Sequence, residues 1–255
     1  MTAIETSGTG RFDLGRVMER TFTVIGRNIV TFLLAAVILT GIPSVITVIG
    51  QGGMPFPTSR QGWLILATGW FLSLLGAYLL QAAIVHVTVN ALNNRTVTLR
   101  TALGIAIGKM LPLLGLGLLV FLATMLGMVL LIIPGIIVAV MLCVAGPVLV
   151  MEKRSILESF GRSRALTKGF RWPIFGLFVI YMVVATAISG TVTGVSVATG
   201  GAMDGSANPV VTLIFTPLIA VVQAIIGSAG IAALYYELRT AKEGVGTDEL
   251  AELFD

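Results

Sequence analysis

The sequence predicts an all-α integral membrane protein, a bundle of six transmembrane helices in one domain that covers residues 1–255. Five stretches between Arg27 and Glu237 contain no Lys, Arg, Asp or Glu, and they are 32, 34, 42, 32 and 32 residues long. About 20 apolar helical residues cross a hydrocarbon core of about 30 Å, so each stretch can hold a crossing. The chain is also 56% hydrophobic and 11% charged, whereas soluble domains are about 25% charged. This composition excludes an ordinary soluble domain.

The charge-free stretches place the individual spans. We expect spans at about 28–50, 62–92, 110–133, 135–151, 172–195 and 209–238. The second and sixth are longer than one crossing. The stretch from Met110 to Met151 holds two spans, and Pro134-Gly135 within it predicts the tight turn between them. The sequence leaves open whether this hairpin spans fully or is re-entrant.

The basic residues set the orientation. With six spans and a cytoplasmic N-terminus, 15 of the 16 Lys and Arg residues fall on the cytoplasmic side, and only Arg60 lies outside. A single span over 110–151 would move the six bases from Lys153 to Arg171 outside, against the positive-inside rule. We therefore expect both termini in the cytoplasm. The cytoplasmic amphipathic N-terminus would be 1–27, the six spans 28–238 and the cytoplasmic tail 239–255.

Three cytoplasmic segments each predict a short amphipathic helix on the membrane surface, followed by a transmembrane hairpin. The first has its apolar residues at helical spacing: Leu14, Val17, Met18, Thr21, Phe22 and Ile25. The second runs from Val97 to Lys109, and the third opens with the capping-box pattern of Ser155 and Glu158 and stops at Gly169. These segments suggest three repeated units, at about 12–92, 97–151 and 153–239. The alternative is that any loop between spans tends to be basic and amphipathic.

The segment 147–175, PVLVMEKRSILESFGRSRALTKGFRWPIF, resembles the membrane-domain family found fused to some bacterial glycerophosphoryl diester phosphodiesterases. The positions that carry the resemblance are Pro147, Glu152, Arg162, Ser163, Leu166, Lys168 and Gly169. The opening RFDLGRVMERTFTVIGRN, Pro134-Gly135 and the closing ALYYELRTAKEG look similar as well. The resemblance implies a multi-pass protein of the bacterial inner membrane. It also implies that the chain is not an enzyme, because hydrolysis in the fused proteins belongs to a separate soluble domain.

Few residues could carry chemistry inside the spans. His86 is the only histidine and Cys143 the only cysteine, so we expect no catalytic residues, no metal site and no cofactor. His86 could relay protons, but a hydrogen bond to a neighbouring helix is the favoured reading. We expect Cys143 to be a small buried apolar residue. Because the bases adjoin membrane spans, we also expect no nucleic-acid partner.

The polar and small residues within the spans have two readings each. Gln81, Gln223, Pro43 and Pro217 could line a path for a lipid-like or uncharged solute, or they could serve interhelical hydrogen bonds and kinks. The second reading is favoured. The pairs Gly104 with Gly108 and Gly190 with Gly194 have the spacing that lets helices approach closely, so we expect them to pack.

The cytoplasmic bases give the main functional expectation. Arg162, Arg164, Lys168 and Arg171 are the candidates for holding an anionic phospholipid headgroup. The chain would then handle or organise lipid, with a membrane-protein partner or homo-oligomer as a further option. Ordinary topological anchoring by the same bases is the simpler alternative. The second functional hypothesis is a small permease for a lipid-like or uncharged solute.

Overall fold

The computed structural model describes residues 12–52, 56–92, 98–198 and 208–243, and every regular element in these ranges is helical. The α-helices are α1 (Leu14–Arg27), α2 (Ile29–Ala36), α3 (Ile42–Gln51), α4 (Arg60–Leu92), α5 (Leu99–Gly108), α6 (Met110–Leu130), α7 (Ile132–Leu142), α8 (Ala145–Met151), α9 (Ile156–Thr167), α10 (Arg171–Ala198) and α11 (Pro209–Glu243). A π-helical turn, Val37–Gly41, joins α2 to α3. The prediction of an all-α fold is confirmed.

Six helical stretches are long and apolar enough to cross a membrane, as the sequence predicted. They are Ile29–Gln51, Arg60–Leu92, Met110–Leu130, Ile132–Met151, Arg171–Val195 and Val210–Glu243. The second and sixth, with 33 and 34 residues, are longer than one crossing. The predicted division of the Met110 to Met151 stretch into two arms is also confirmed, and each arm is long enough to cross.

Hairpin 1 consists of α2, the π-helical turn, α3 and α4, and glycines bring its two arms into backbone contact. A Cβ atom added at Gly76 would lie 1.6 Å from the carbonyl oxygen of Leu39 in the π-helical turn. A Cβ atom at Gly69 would lie 2.7 Å from the backbone nitrogen of Thr47 in α3. Only glycine fits at these positions, so the two arms are held at the close spacing that small residues permit between membrane helices.

Hairpin 2 consists of α6, α7 and α8, and the chain reverses at Leu131, which is extended with φ −166°. The predicted turn at Pro134-Gly135 is wrong, because both residues lie inside α7. Proline is compatible with the first turn of a helix, where its missing N–H is not needed. Gly135 instead allows close packing, since a Cβ atom at Gly127 of α6 would lie 2.9 Å from its Cα.

The other predicted glycine contacts are not made. A Cβ atom at any of four glycines would meet no neighbouring atom within 4 Å: Gly104, Gly108, Gly190 and Gly194. Their four-residue spacing therefore does not mark a helix contact within the described ranges. Close approach depends on what faces a glycine, which the spacing alone does not reveal.

The fourth span is interrupted between Leu142, where α7 ends, and Ala145, where α8 begins. A helix end leaves carbonyl groups without the N–H partners that a continuous helix would supply. The Met141 carbonyl accepts hydrogen bonds from the hydroxyls of Ser163 (2.7 Å) and Thr167 (3.5 Å) in α9. The hydroxyls on the buried side of α9 therefore supply hydrogen-bond donors to the backbone at this interruption.

Helix α1 lies along the C-terminal part of α11 in antiparallel order. Arg16 pairs with Glu237, and Val24 packs in the same buried cluster as Ala229. The predicted single apolar face of α1 is divided in the structure. Its buried residues are Val17, Thr21 and Val24, whereas Met18 (39%) and Phe22 (57%) are exposed.

The short helices α5 and α9 occur where the sequence placed them. The capping box of Ser155 and Glu158 is present at the start of α9, as predicted. Gly169 has φ +91° and follows α9 as the predicted stop. The location of these helices on a membrane surface and the threefold repeat stay predictions. Arg11, Arg95, the first 11 residues and the tail from residue 244, all used in predicting the topology, lie outside the described residues.

The molecule divides into two halves along its long helices. The basic half comprises α1, α5, α8, α9 and the adjoining parts of α4, α10 and α11, and it holds every described Lys and Arg except Arg60. The far half comprises the Arg60 end of α4, the α6–α7 turn, and the parts of α10 and α11 nearest their connection. All residues of 82–85 in α4 and 232–235 in α11 are buried in the basic half. All six residues from Met128 to Ile133 are exposed in the far half.

Candidate functional site

The carboxylate of Glu237 fastens α1 to α11. Its side chain is only 1% exposed, and Oε1 accepts a hydrogen bond from Nε of Arg16 (2.8 Å) and lies 2.7 Å from Nη2 of the same guanidinium. Oε2 pairs with Arg20, whose guanidinium also lies 4.9 Å from the ring centroid of Tyr236. A buried charge without a partner is strongly unfavourable, so the two arginines one helical turn apart hold α1 in place.

A second carboxylate, Glu152, joins three helices at the end of α8. It accepts hydrogen bonds from Nε of Arg154 (2.8 Å), Nε of Arg162 (3.1 Å) and the hydroxyl of Tyr235 (3.1 Å). Arg162 belongs to α9 and Tyr235 to α11. Glu152 therefore fixes the position of α9 relative to both α8 and α11.

Arg162 has another carboxylate partner in α11. It pairs with Glu243, which also accepts a hydrogen bond from Nε of Arg239 at 2.9 Å. Burial alone lowers the pKa of the Arg162 guanidinium, but the hydrogen bonds and charges of Glu243 and Glu152 outweigh burial and raise it. Arg162, which the sequence offered as a headgroup ligand, is thus engaged by carboxylates of the protein.

The other three headgroup candidates lie together at the turn from α9 to α10. Arg164 and Lys168 are exposed, and within the ranges that the structure covers neither has an ion-pair partner. Nε of Arg171 is buried without a hydrogen-bond acceptor. Trp172 follows directly and is 84% exposed. We call these four residues the α9–α10 corner.

The positions that carried the family resemblance have structural roles in this fold. Glu152 and Arg162 bind each other, and the Ser163 hydroxyl caps the interrupted fourth span. Pro147 in α8 and Leu166 in α9 are buried. Lys168 is exposed and Gly169 forms the left-handed turn. The motif therefore describes how α9 is attached to α8, and only Lys168 of its members presents a free charge.

Sequence reasoning missed Glu237, Glu243 and Tyr235. A signal for Glu237 existed, because it ends the last charge-free stretch and Arg16 and Arg20 stand one turn apart on α1. The pairing itself was not readable, since 221 residues separate Arg16 from Glu237.

The structure also shows the surroundings of the residues that could bind a metal or relay protons in the spans. No group of three or more His, Cys, Asp or Glu residues that could hold a metal occurs among the residues described. The imidazole of His86 makes no hydrogen bond within that part of the chain, although its backbone carbonyl accepts one from the Asn90 amide at 2.7 Å. The interhelical hydrogen bond favoured for His86 is therefore not made to any described residue.

Residues 65–238, about two thirds of the chain, match the family described as a domain of unknown function, DUF7847. The chain belongs to this family. The DUF7847 segment begins within α4 and ends one residue after Glu237, so it contains the buried glutamate but not α1, which supplies the paired arginines. No curated protein and no solved structure matches the chain.

Proposed function

We propose that this chain is a non-enzymatic, multi-pass protein of the bacterial inner membrane whose basic half binds anionic phospholipid headgroups in the cytoplasmic leaflet. Its role would be lipid handling or membrane organisation. The resemblance of 147–175 to the membrane domain of glycerophosphoryl diester phosphodiesterases supports the bacterial location and the absence of an activity of its own. Both termini would be cytoplasmic.

The observation that carries this proposal is the uncompensated charge of the α9–α10 corner. Arg162 is paired with the carboxylates of Glu152 and Glu243. By contrast, Arg164 and Lys168 are exposed, and Nε of Arg171 has no hydrogen-bond acceptor among the described residues. Each base near an anionic leaflet contributes about 1 kcal/mol of attraction. The exposed ring of Trp172 is the kind of side chain that lies at the headgroup level.

Other bases at span ends fit the same arrangement. Lys109 stands directly before the span that begins at Met110, and Arg27 stands two residues before the span that begins at Ile29. Close to them the exposed apolar residues Phe22 and Ile107 lie on α1 and α5. An exposed apolar side chain next to a base is the pattern expected where a helix meets the boundary between headgroups and acyl chains.

The triple variant Arg164→Gln, Lys168→Gln, Arg171→Gln tests the proposal. Native mass spectrometry after exchange into mixed phosphatidylglycerol and phosphatidylcholine micelles measures the lipid retained by the folded protein. The wild type should prefer the anionic lipid, and the variant should lose about 3 kcal/mol of that preference, roughly 100-fold. Arg60→Gln is the matched control, because it removes a base at the other end of the molecule and should leave the preference unchanged.

Arg162→Gln separates structure from binding. This variant should lower the unfolding temperature, because it leaves Glu152 and Glu243 with fewer partners, while the folded fraction keeps its lipid preference. A wild type that retains both lipids equally, or a triple variant that retains anionic lipid as well as the wild type does, would contradict the proposal.

The orientation has its own test. A cysteine introduced by Thr58→Cys should react with a membrane-impermeant maleimide added to intact spheroplasts, whereas one introduced by Ala165→Cys should react only after the membrane is opened. Both positions are exposed in the structure. Labelling in the opposite order would show that the basic half faces outwards.

A further inference from the structure

Two polar side chains of α4 lie where this helix meets hairpin 2. Tyr78 and Gln81 are three residues apart, so they share one side of the helix. The Tyr78 hydroxyl lies over Gly117 of α6, where an added Cβ atom would be 1.8 Å from the hydroxyl oxygen. The Gln81 amide lies opposite Gly146 of α8, where an added Cβ atom would be 3.7 Å from Nε2. We call these two side chains and the two glycines the polar seam.

The polar groups of the seam have no hydrogen-bond partner among the described residues. Neither the Tyr78 hydroxyl nor the Gln81 amide makes a hydrogen bond within the described parts of the chain, although both side chains are half-buried. Thr88, two turns further along the Gln81 side of α4, is fully buried, and its hydroxyl also lacks a partner. A buried polar group left unsatisfied, as the Thr88 hydroxyl is, costs about 1–3 kcal/mol.

Gln223, the glutamine in the sixth span, differs from Gln81 because its side chain forms hydrogen bonds to a neighbouring helix. Nε2 of Gln223 donates to the Ala185 carbonyl and to the Ser189 hydroxyl, both at 3.1 Å. The Tyr181 hydroxyl donates to the Gln223 backbone carbonyl at 3.3 Å. The favoured reading of Gln223 as an interhelical hydrogen-bonding residue is thus confirmed, whereas Gln81 has no such partner.

The backbone beside Gln81 is interrupted. Gly146 belongs to the first turn of α8, directly after the break in the fourth span. Pro147 has no N–H, so it cannot donate to the Cys143 carbonyl as a continuous helix would. Irregular backbone at membrane depth is tolerated where it is enclosed by protein or lines a cavity, and interrupted helices of this kind form ligand sites in membrane proteins.

We propose that the polar seam binds an uncharged group that both donates and accepts hydrogen bonds, namely the hydroxyl of a glycerol-type compound. The 34 residues from 61 to 94 contain no Lys, Arg, Asp or Glu, so this side of the seam has no charge to balance an ion. An amide and a phenol complement a hydroxyl, since each can donate to it or accept from it. The group belongs either to a free polyol or to the glycerol unit of an uncharged lipid. The site uses none of the α9–α10 corner and stands apart from the headgroup proposal.

The experiment has two arms, both with the full-length protein in liposomes or detergent. In the first, light scattering follows vesicle volume after a glycerol gradient is imposed on proteoliposomes. In the second, native mass spectrometry measures retention of added diacylglycerol. A free polyol as ligand gives a protein-dependent signal in the first arm, and a lipid gives one in the second.

The matched variants are Gln81→Leu and Gln223→Leu. Gln81→Leu should reduce the protein-dependent signal about tenfold, as expected for the loss of about one hydrogen bond, whereas Gln223→Leu should leave it unchanged. Tyr78→Phe should give a similar reduction, because it removes the hydroxyl and keeps the ring against Gly117. It also serves as the test if Gln81→Leu does not fold.

The proposal is overturned if neither arm gives a protein-dependent signal. It is also overturned if Gln223→Leu reduces the signal as much as Gln81→Leu, or if Tyr78→Phe has no effect. The triple variant of the α9–α10 corner should keep the seam signal, so failure of the headgroup proposal and failure of this one give different results.

Discussion

The basic half and the far half of the molecule differ in how deeply their apolar side chains are buried. In the basic half, four consecutive residues of α4 (82–85) and four of α11 (232–235) are buried, although the helices around them carry nearly all the charges. In the far half, the six residues around the α6–α7 turn are all exposed. Lipid solvates apolar side chains as well as protein does, so helices within it have no hydrophobic drive to gather.

The difference indicates that two kinds of interaction hold the two halves. Apolar packing and the ion pairs of Glu237, Glu152 and Glu243 organise the basic half, and of these three carboxylates Glu237 is the buried one. In the far half, arms are joined pairwise through glycine contacts such as Gly127 against Gly135. The stability of the fold should therefore depend mainly on the basic half.

The largest expected effect comes from the Glu237 pairs. The double variant Arg16→Gln, Arg20→Gln leaves a buried carboxylate without its counter-charges, which costs about 3–5 kcal/mol. Chemical unfolding in detergent, followed by circular dichroism, measures the loss. Adding Glu237→Gln should restore part of it. Arg27→Gln on the same helix is the control, since Arg27 is exposed and has no ion pair in the described part of the chain. Equal stability of the double variant and the control would show that the pairs do not support the fold.

A leucine in each half tests the contrast directly. Leu149→Ala removes a side chain that is 1% exposed in the basic half, and the cavity should cost about 2–5 kcal/mol. Leu126→Ala makes the same change at a 66% exposed position of α6 in the far half, where we expect less than about 0.5 kcal/mol. The two unfolding curves in the same detergent give the comparison. Similar losses in both variants would mean that the far half is packed against a partner chain.

The smallest of the three effects concerns the glycines. Gly76→Ala places a methyl group against the Leu39 carbonyl and should cost about 1–3 kcal/mol by overpacking. Gly190→Ala adds the same methyl group where no atom lies within 4 Å, so it should be neutral or stabilise α10 by up to about 1 kcal/mol. Thermal unfolding compares the two. Destabilisation by Gly190→Ala would indicate that a second chain approaches α10 at this position.

The sequence predicted the spans well because the signal for each one is spread over about 20 residues. It failed at Pro134-Gly135, where proline suits the first turn of a helix as well as it suits a loop. It also failed at Gly190 and Gly194, whose spacing says nothing about whether another helix lies opposite. The capping box at Ser155 was readable because all its atoms belong to four consecutive residues.

The candidate site was less accessible to prediction. The four headgroup candidates look equivalent in the sequence. In the structure Arg162 is instead paired with Glu243, which is 81 residues away. The two span glutamines also read alike. Only the neighbours of Gln223 in α10 distinguish a bonded amide from the unbonded amide of Gln81. Long-range pairing decides both cases, and residue type and spacing do not encode it.

The pairing of α1 with Glu237 also constrains how the protein is made. Because 221 residues separate Arg16 from Glu237, the N-terminal helix leaves the ribosome long before its partner exists. At about 5–20 residues per second, that interval is roughly 10–45 s. During this time Arg16, Arg20 and the side chains of α1 that are buried in the folded protein lack their final contacts, while five spans enter the membrane. Docking of α1 is therefore a last step of assembly, and a truncated chain that ends before α11 would leave this helix free for chaperones or proteases.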